Sequence, residues 1–416
     1  MKLLCNNKIT TEKPEHRFGS FRLSFAQNIN KIEEEWTKCC VADTLMDIPF
    51  LETIEQHHPP SISPFYGLLY DDQDILGIFY FQIKKFKLSE SLSFEDLDES
   101  FVGKFSNKIK RKVADFVNFN TLVLGNLLLT GQYGYKFINN NAILQKLRQK
   151  DSSGKLPTTS QLFSFILKEA LHYAKYSLGI SCTALLCKDF KSDYDIFNID
   201  ELGFQRVEVQ PNMIFKVRPT WKTFSDYLDS LESKYRIRYR RAKKKLEIIS
   251  KIHFSPEDIS KHSPEIEKLY LNIVKNADFN LFYLSQDFFR ALKSNLENDF
   301  DLIGYYNGNK LVGFASIIKN FDEYYCFFLG YDIEVNKKHQ LYLNMLYDFI
   351  ECAIDNRIDK IIMSRTAIEI KSSVGAVPQR KFIYFRHKNF AVNSAFRFIF
   401  RWMYKNKEWK IRSPFK

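Results

Sequence analysis

Cysteine is sparse and follows no ligand or bridging pattern. The chain has seven in 416 residues (Cys5, Cys39, Cys40, Cys182, Cys187, Cys326 and Cys352), an odd number with no CxxC and no Cys/His ladder. This excludes a disulfide framework and a structural zinc, and predicts reduced thiols in a cytoplasmic protein. Long apolar runs are also missing. No window reaches the roughly 18–20 uninterrupted apolar residues of a spanning helix, and Asn6 and Asn7 interrupt the start MKLLCNN too early for a signal-peptide core. The expectation is a soluble chain, or one that at most lies on a membrane. Finally there is no Ser/His/Asp order, no metal-ligand spacing and no P-loop. Group transfer from an activated donor needs none of these. It needs an aligned ester or thioester, a base or relay, and oxyanion donors from a strand backbone.

What is present is a repeat. Tyr66–Phe79 (YGLLYDDQDILGIF) and Leu302–Ala315 (LIGYYNGNKLVGFA) share a gapless pattern: an apolar strand ending in Tyr, a polar turn, two aliphatic residues and a Gly. Tyr70 and Gly77 correspond to Tyr306 and Gly313. After each hairpin the sequence predicts another strand, a long amphipathic helix and a short buried strand. In the first copy these are Thr121–Thr130, Gln161–Ser177 and Cys182–Cys187, with Leu202-Gly203-Phe204 followed by Val207–Val217 as the strand that closes the unit. His172 on the first helix is expected to be a satisfied core histidine. In the second copy they are Tyr324–Tyr331, Gln340–Asn356 and Lys360–Ser364, preceded by helices near Phe224–Ile249, Pro264–Asn276 and Gln286–Leu296. Hairpins joined through a helix to a parallel strand make an α+β layered unit, so the fold class is α+β, a doubled mixed sheet flanked by helices. The divisions are 1–217, 218–390, and a basic-aromatic tail 391–416.

Charge is unevenly spread on a net of +12. From Gln379 to Lys416 there are 11 Lys/Arg and one acidic residue, Glu408, a local excess of ten. Lys234–Lys245 holds eight Lys/Arg in twelve positions. Two basic features on a near-neutral body point to specific anionic partners.

The order of elements, with Gly203-Phe204 before the closing strand, resembles the N-acetyltransferase (GNAT) superfamily. The duplication resembles its tandem members, the Fem-type aminoacyltransferases and related peptidoglycan-biosynthesis or acyltransferase-like proteins. Three stretches carry the likeness. They are Gly125-Asn126 with Thr130-Gly131, then Lys234-Tyr235-Arg236 running into Arg240-Arg241-Ala242-Lys243, then Arg365–Ser372 with Gly375-Ala376. The resemblance implies acyl or aminoacyl transfer onto an amine in envelope or lipid biosynthesis. The implied donor is an acyl thioester (acyl-CoA or acyl carrier protein) or a charged tRNA. One departure counts against an ordinary coenzyme A cradle: the helix-leading turns Asp151–Ser160 and Glu334–Gln340 hold one Gly and none. The resemblance implies that tandem aminoacyltransferases share that loss, so it does not exclude catalysis. The competing class is a non-catalytic, degenerate GNAT pair that binds an anionic ligand or a membrane.

Three groups of residues are candidates for chemistry. In Lys234–Leu246, Tyr235, Tyr239, Ala242 and Leu246 share one helical side and cations take most of the rest. The segment is either a solvated helix or a clamp for phosphate or carboxylate formed by Arg236, Arg238, Arg240, Arg241 and Lys244. Arg365 emerges at the carboxyl end of a buried strand, where α/β sheets bind ligands. Arg365 and Glu369 are the catalytic candidates, with Glu369 as general base or as a partner in a salt bridge. Lys371, Ser372 and Gly375 join Gly125, Asn126, Thr130 and Gly131 as the substrate pocket. The third group is the tail helix Ala391–Lys405, which either packs on the protein itself or lies on the inner-membrane surface with its cations on headgroups. No metal is expected.

Overall fold

The computed structural model describes residues 17–87, 118–139, 158–190, 197–275, 280–394, 396 and 409–416. The first copy runs β1 (Phe21–Ala26), α1 (Glu33–Cys39), α2 (Ile48–His57), β2 (Ile62–Asp71), β3 (Asp74–Lys87), β4 (Asn118–Leu124), β5 (Tyr135–Phe137), α3 (Thr159–Tyr176), β6 (Ala184–Phe190) and β7 (Gln205–Lys216). Then follow α4 (Phe224–Ser230), α5 (Ser233–Leu246), β8 (Ile249–His253), α6 (Pro256–Lys261), α7 (Ser263–Val274), α8 (Phe288–Leu296) and β9 (Phe300–Asn307). The chain continues through β10 (Lys310–Asn320), β11 (Glu323–Tyr331), α9 (Ile333–His339), α10 (Leu341–Asp355), β12 (Lys360–Ile362), α11 (Ile368–Ser372) and β13 (Val377–His387).

The repeat is real down to its irregularities. Leu69 faces Gly77 and Tyr70 faces Ile75, so Leu76 is the extra residue of a β-bulge. In the second copy Tyr305 faces Gly313 and Tyr306 faces Leu311, making Val312 the extra residue. Each of these residues is displaced from its partner by 236 positions (305 − 69, 313 − 77, 306 − 70, 311 − 75). A bulge re-aims a strand locally, and the two copies keep it at the same place.

One continuous sheet contains all thirteen strands, in the order β1-β2-β3-β4-β6-β13-β7-β12-β11-β10-β9-β8, with β5 on β3. The order is a palindrome with one exchange. The strand expected to close the first copy, β7, does not join β6. It pairs with β12 of the second copy, while β13 pairs with β6 of the first. β7 and β13 pair with each other at the centre. Each copy therefore completes the other's half-sheet, and neither half is closed without both.

Helices cover this sheet according to their apolar stripes. On α3, Leu162, Phe163, Ile166, Leu167, Ala170 and Ala174 are buried against β2, β3 and β6. Its start is fixed by a capping box between Thr158 and Gln161. His172 falls on the exposed side of that helix with its ring tilted against Tyr176, so it is not a core residue. α10 lies under the second copy with Leu341, Met345, Leu346, Phe349, Ile350 and Ala353 buried. A third core belongs to both copies: α1 and α2 meet α6–α8 there, and Asn295 donates to Thr53 Oγ1 at 2.8 Å.

Three local expectations are corrected. Thr121–Thr130 is not one strand: β4 stops at Leu124, and residues 125–134 leave the sheet before β5 returns to it. Glu334–Gln340 is not a turn, because all of it but Gln340 lies in α9 (Ile333–His339) behind the Asp332 N-cap. The single helix expected over Phe224–Ile249 is two, α4 and α5, separated at Leu231–Glu232. The tail helix was expected to reach Lys405, but Ala395 and residues 397–408 lie outside the described residues.

Candidate functional site

In both copies two parallel strands run together and then part. β4 and β6 are paired to Leu124–Cys187, and β11 and β12 to Tyr325–Ile362. Beyond those points each sheet must fill a gap, and the two gaps meet at the seam between the copies.

The first copy fills its gap with its own chain. Gly125 has φ +128 and a Cβ there would come within 3.1 Å of Lys188 Cβ, so only glycine lets the backbone turn away at this point. The excursion that follows is bound from below by a polar core. Gln82 Oε1 accepts from the Leu127 N–H at 2.8 Å, and Asn126 Oδ1 accepts from the Leu128 N–H at 3.0 Å. Asn126 itself is fully buried. At the far end the Thr130 N–H donates to the hydroxyl of Tyr325 from the second copy, and Thr130 Oγ1 lies 2.8 Å from that hydroxyl.

After Cys187 come Lys188 and Asp189, both buried. Asp189 has φ +62, a left-handed conformation rare outside glycine and usually held in place by its surroundings. Its carboxylate accepts from the Gly131 N–H at 2.9 Å and pairs with Lys188. It also pairs with Arg365 from the second copy. Lys188 and Arg365 thus share one buried carboxylate. Burial pulls Lys188 well below the usual lysine range, and the charge of Arg365 pulls the same way.

On the second copy's side, β12 leads into a strained turn. Ser364, Thr366 and Ala367 have φ of +59, +64 and +46, three left-handed non-glycine residues within four positions. Such conformations cost about 1–3 kcal/mol each and gather at functional sites. Ser364 Oγ donates to the Cys326 carbonyl at 3.1 Å, spanning the gap between β11 and β12. Lys371 reaches back from α11 and donates to the Arg365 carbonyl at 2.6 Å. Its side chain is buried, and desolvation lowers its pKa to about 7. That places an amine within reach of both protonation states near neutrality, at the turn that carries Arg365.

The other residues expected in this pocket face the chain's own end. Glu369 pairs with Arg412 at 3.4 Å and accepts from the Lys410 N–H at 3.3 Å. Ser372 Oγ accepts from the Arg412 N–H at 3.1 Å. Gly375 has φ +110, and a Cβ there would stand 2.4 Å from Phe415. Arg365, Thr130 and Gly131 are thus brought together at the seam, Gly125 and Asn126 stand just beneath it, and Lys371 braces it. Glu369, Ser372 and Gly375 meet the tail instead.

The basic helix α5 is a separate surface. Tyr235, Ala242 and Leu246 are buried and Tyr239 packs edge-on to Tyr347. Its end lies over the α9–α10 corner, where His339 Nδ1 is 2.6 Å from the Lys245 carbonyl and Asn344 donates to the Ala242 carbonyl at 3.1 Å. Arg236 is committed to the Leu231 carbonyl. Asp348 takes Lys251 at 2.8 Å and Lys243 at 4.0 Å. Among the described residues no ion pair reaches Arg238, Arg240, Arg241 or Lys244.

Sequence reasoning missed Lys188, Asp189, Tyr325, Asp348 and Phe415. The first two were findable, because the rule that singled out Arg365, a charge just past a buried strand, selects Lys188-Asp189 when applied to Cys182–Cys187. Among the described residues no helix is long and apolar enough to cross a membrane.

Comparison with solved structures places this doubled sheet among others. FemX matches with a TM-score of 0.49 and 12% identity, over 87% of this chain and 96% of that one. A tandem GNAT protein from the clavulanic acid biosynthesis pathway matches at 0.48 and 10%, over 88% and 99%. L-PGS from Bacillus licheniformis matches at 0.43 and 11%, over 85% and 95%. A search of curated proteins finds no match. The family model FemAB-like, described as peptidoglycan biosynthesis/recognition, matches residues 157–402, which is 246 of the 416 positions. That span covers most of the first copy's second half and all of the second copy, including Asp189, α5, Arg365 and Lys371: the chain belongs to the FemAB-like family.

Proposed function

We propose that this protein transfers an acyl or aminoacyl group to an amine in envelope or lipid biosynthesis, with the reaction at the seam beside β11 and β12. The observation that carries this reading is the parting of β11 and β12 after Tyr325–Ile362, with Arg365 and a buried, readily deprotonated Lys371 at that point. The acceptor nitrogen forms a bond to the donor carbonyl carbon, and the donor's C–S or C–O bond breaks. Arg365 offers N–H groups to the oxygen that gains charge. The acceptor's proton passes to Lys371 Nζ, whose neutral form is available near pH 7. Lys371 is preferred over Glu369 as the proton acceptor because Arg412 and the Lys410 N–H occupy the Glu369 carboxylate.

The donor's phosphates are assigned to Arg238, Arg240, Arg241 and Lys244 on α5, with an acyl thioester preferred to a charged tRNA. We divide the chain at 1–217 and 218–390, and we assign contact with the cytoplasmic side of the membrane to the helix expected over Ala391–Lys405. A second reading, a pair of GNAT-like units that binds without turning over, is favoured by the filled gap of the first copy and by the tail on Glu369, Ser372 and Gly375. Mass spectrometry of lipid and cell-wall fractions separates the two. The expected result is a modified amine product that disappears on gene deletion and does not return with Arg365→Ala. If deletion changes no product, the transferase reading is wrong and the binding reading stands.

A further inference from the structure

The last eight residues are built into the wall of the candidate site. Pro414–Lys416 lies alongside Ser230–Glu232 like an added strand: the Glu232 N–H donates to the Pro414 carbonyl at 2.8 Å, and the Lys416 N–H donates to the Ser230 carbonyl at 3.0 Å. Between these bonds Phe415 enters an aromatic socket. Its ring is 5.6 Å from that of Trp221 and 6.2 Å from that of Tyr227, with the Arg218 guanidinium over it at 4.4 Å. The floor is Gly375, where any side chain would collide.

Arg412 then ties this segment to α11. Its guanidinium donates to the Glu369 carbonyl at 3.0 Å and pairs with the Glu369 carboxylate, while its N–H reaches Ser372 Oγ. α11 has only five residues. A helix that short has little stability of its own and is held by what packs on it. The residue it must aim is Lys371, which braces the strained turn at the Arg365 carbonyl, and Arg365 crosses to Asp189 of the other copy.

We infer that residues 409–416 form a strap that positions the site, with Arg412 and Phe415 holding α11 so that Lys371 supports Arg365. It rests on the proposed function only for its catalytic consequence, because the strap can be tested without turnover. The groups around Lys371 that could titrate or carry charge are Cys326 on β11, Arg365 and Glu369 on its own loop, and Arg412 from the strap.

The test uses the full chain carrying Phe415→Ala, Arg412→Gln or the conservative Phe415→Tyr. Amide hydrogen exchange in 364–376 is read against 66–81 in the first copy, and an amine-acylating reagent reports Lys371 across pH. Phe415→Ala and Arg412→Gln are expected to speed exchange in 364–376 at least tenfold while 66–81 stays unchanged. They should also raise the pH midpoint for labelling Lys371, since the opened loop hydrates it. Phe415→Tyr and an added peptide of sequence WKIRSPFK should restore both. The inference is overturned if Arg412→Gln loosens only 409–416, or if the peptide fails to restore protection. Either result leaves the transferase reading untouched, which stands or falls with the product analysis.

Discussion

The two copies share a frame and differ in what they do with it. Their hairpins match in register and bulge, yet the second copy crosses from β10 to β11 in a two-residue turn, Asn320 facing Glu323, whereas the first separates Lys87 from Asn118 by thirty residues. Under the first hairpin lie Tyr66, Tyr80 and Gln82, and the positions 236 further on are Leu302, Ser316 and Ile318. The polar trio supports the excursion 125–134 that plugs the first copy's gap, through Gln82 and Asn126. The second copy has a largely apolar floor there, and Ser364 spans its gap. Duplication followed by filling one half gives a molecule in which the filled copy supplies walls and anchors. The second copy carries Arg365 and the buried Lys371 at the turn after β12. The strand exchange makes the arrangement mandatory, since a loosened first copy would take β6 and β7 away from β13 and β7 away from β12.

Breaking that dependence at its most buried point should have the largest effect. Asp189→Asn removes the first-copy charge that both Lys188 and Arg365 pair with. Breaking a buried pair in this way costs about 3–5 kcal/mol. The exposed pair of Arg380 with Glu208, at 2.8 Å, is the control. Arg380→Gln should cost under about 1 kcal/mol in the same urea titration. Equal costs would show that the seam does not depend on its buried charge.

Lys371 comes next and belongs to the open copy alone. Its folded pKa of about 7 lies below the usual lysine value. Between pH 7 and pH 10 the unfolded chain therefore binds more protons than the folded one at this residue, and stability rises with pH. At about 1.4 kcal/mol per pKa unit, the gain from pH 7 to pH 9 is about 2–3 kcal/mol. Lys188 shifts in the same direction and adds to the wild-type slope. Lys371→Met should flatten the rise in the difference between the two stability curves. If the curves stay parallel from pH 7 to pH 9, the amine is not buried as described.

A smaller effect is expected from Tyr325→Phe, which removes the second copy's grip on the plug of the first. Losing the bond to Thr130 leaves its N–H short of an acceptor, at about 1–2 kcal/mol. Exchange should quicken in 125–134 and not in 326–331.

Much of this contrast can be read from the residues, and what cannot has a physical reason. The repeat, the stripe of α3 and the buried strand before Arg365 are local patterns, so the α+β doubling is legible. The exchange of β7 and β13 is not, because nothing in a strand's own sequence says which of two equivalent neighbours it will join. The end of β4 at Leu124 was marked by Gly125, but the apolar run Leu127–Leu129 looks like strand until Gln82 and Asn126 are known to hold its backbone elsewhere. Gly375 shows the opposite case. Its smallness suggested room for a substrate, and the room is taken by Phe415, forty positions later.

The smallest effect on stability should come from Arg240→Ala with Arg241→Ala, and it still sharpens the contrast between anchoring and ligand-facing charge. Both side chains are exposed. Surface changes of this kind stay within about 0.5 kcal/mol. The readout that should move is polyanion binding. Each phosphate contact to a single strand adds about −0.7 to the slope of log affinity against log salt, so losing two should flatten it by about 1.4 for single-stranded RNA. An unchanged slope would make α5 a solvated face and take the donor's phosphates elsewhere. A stability loss beyond about 1 kcal/mol would instead put these arginines among the groups that hold the open copy together.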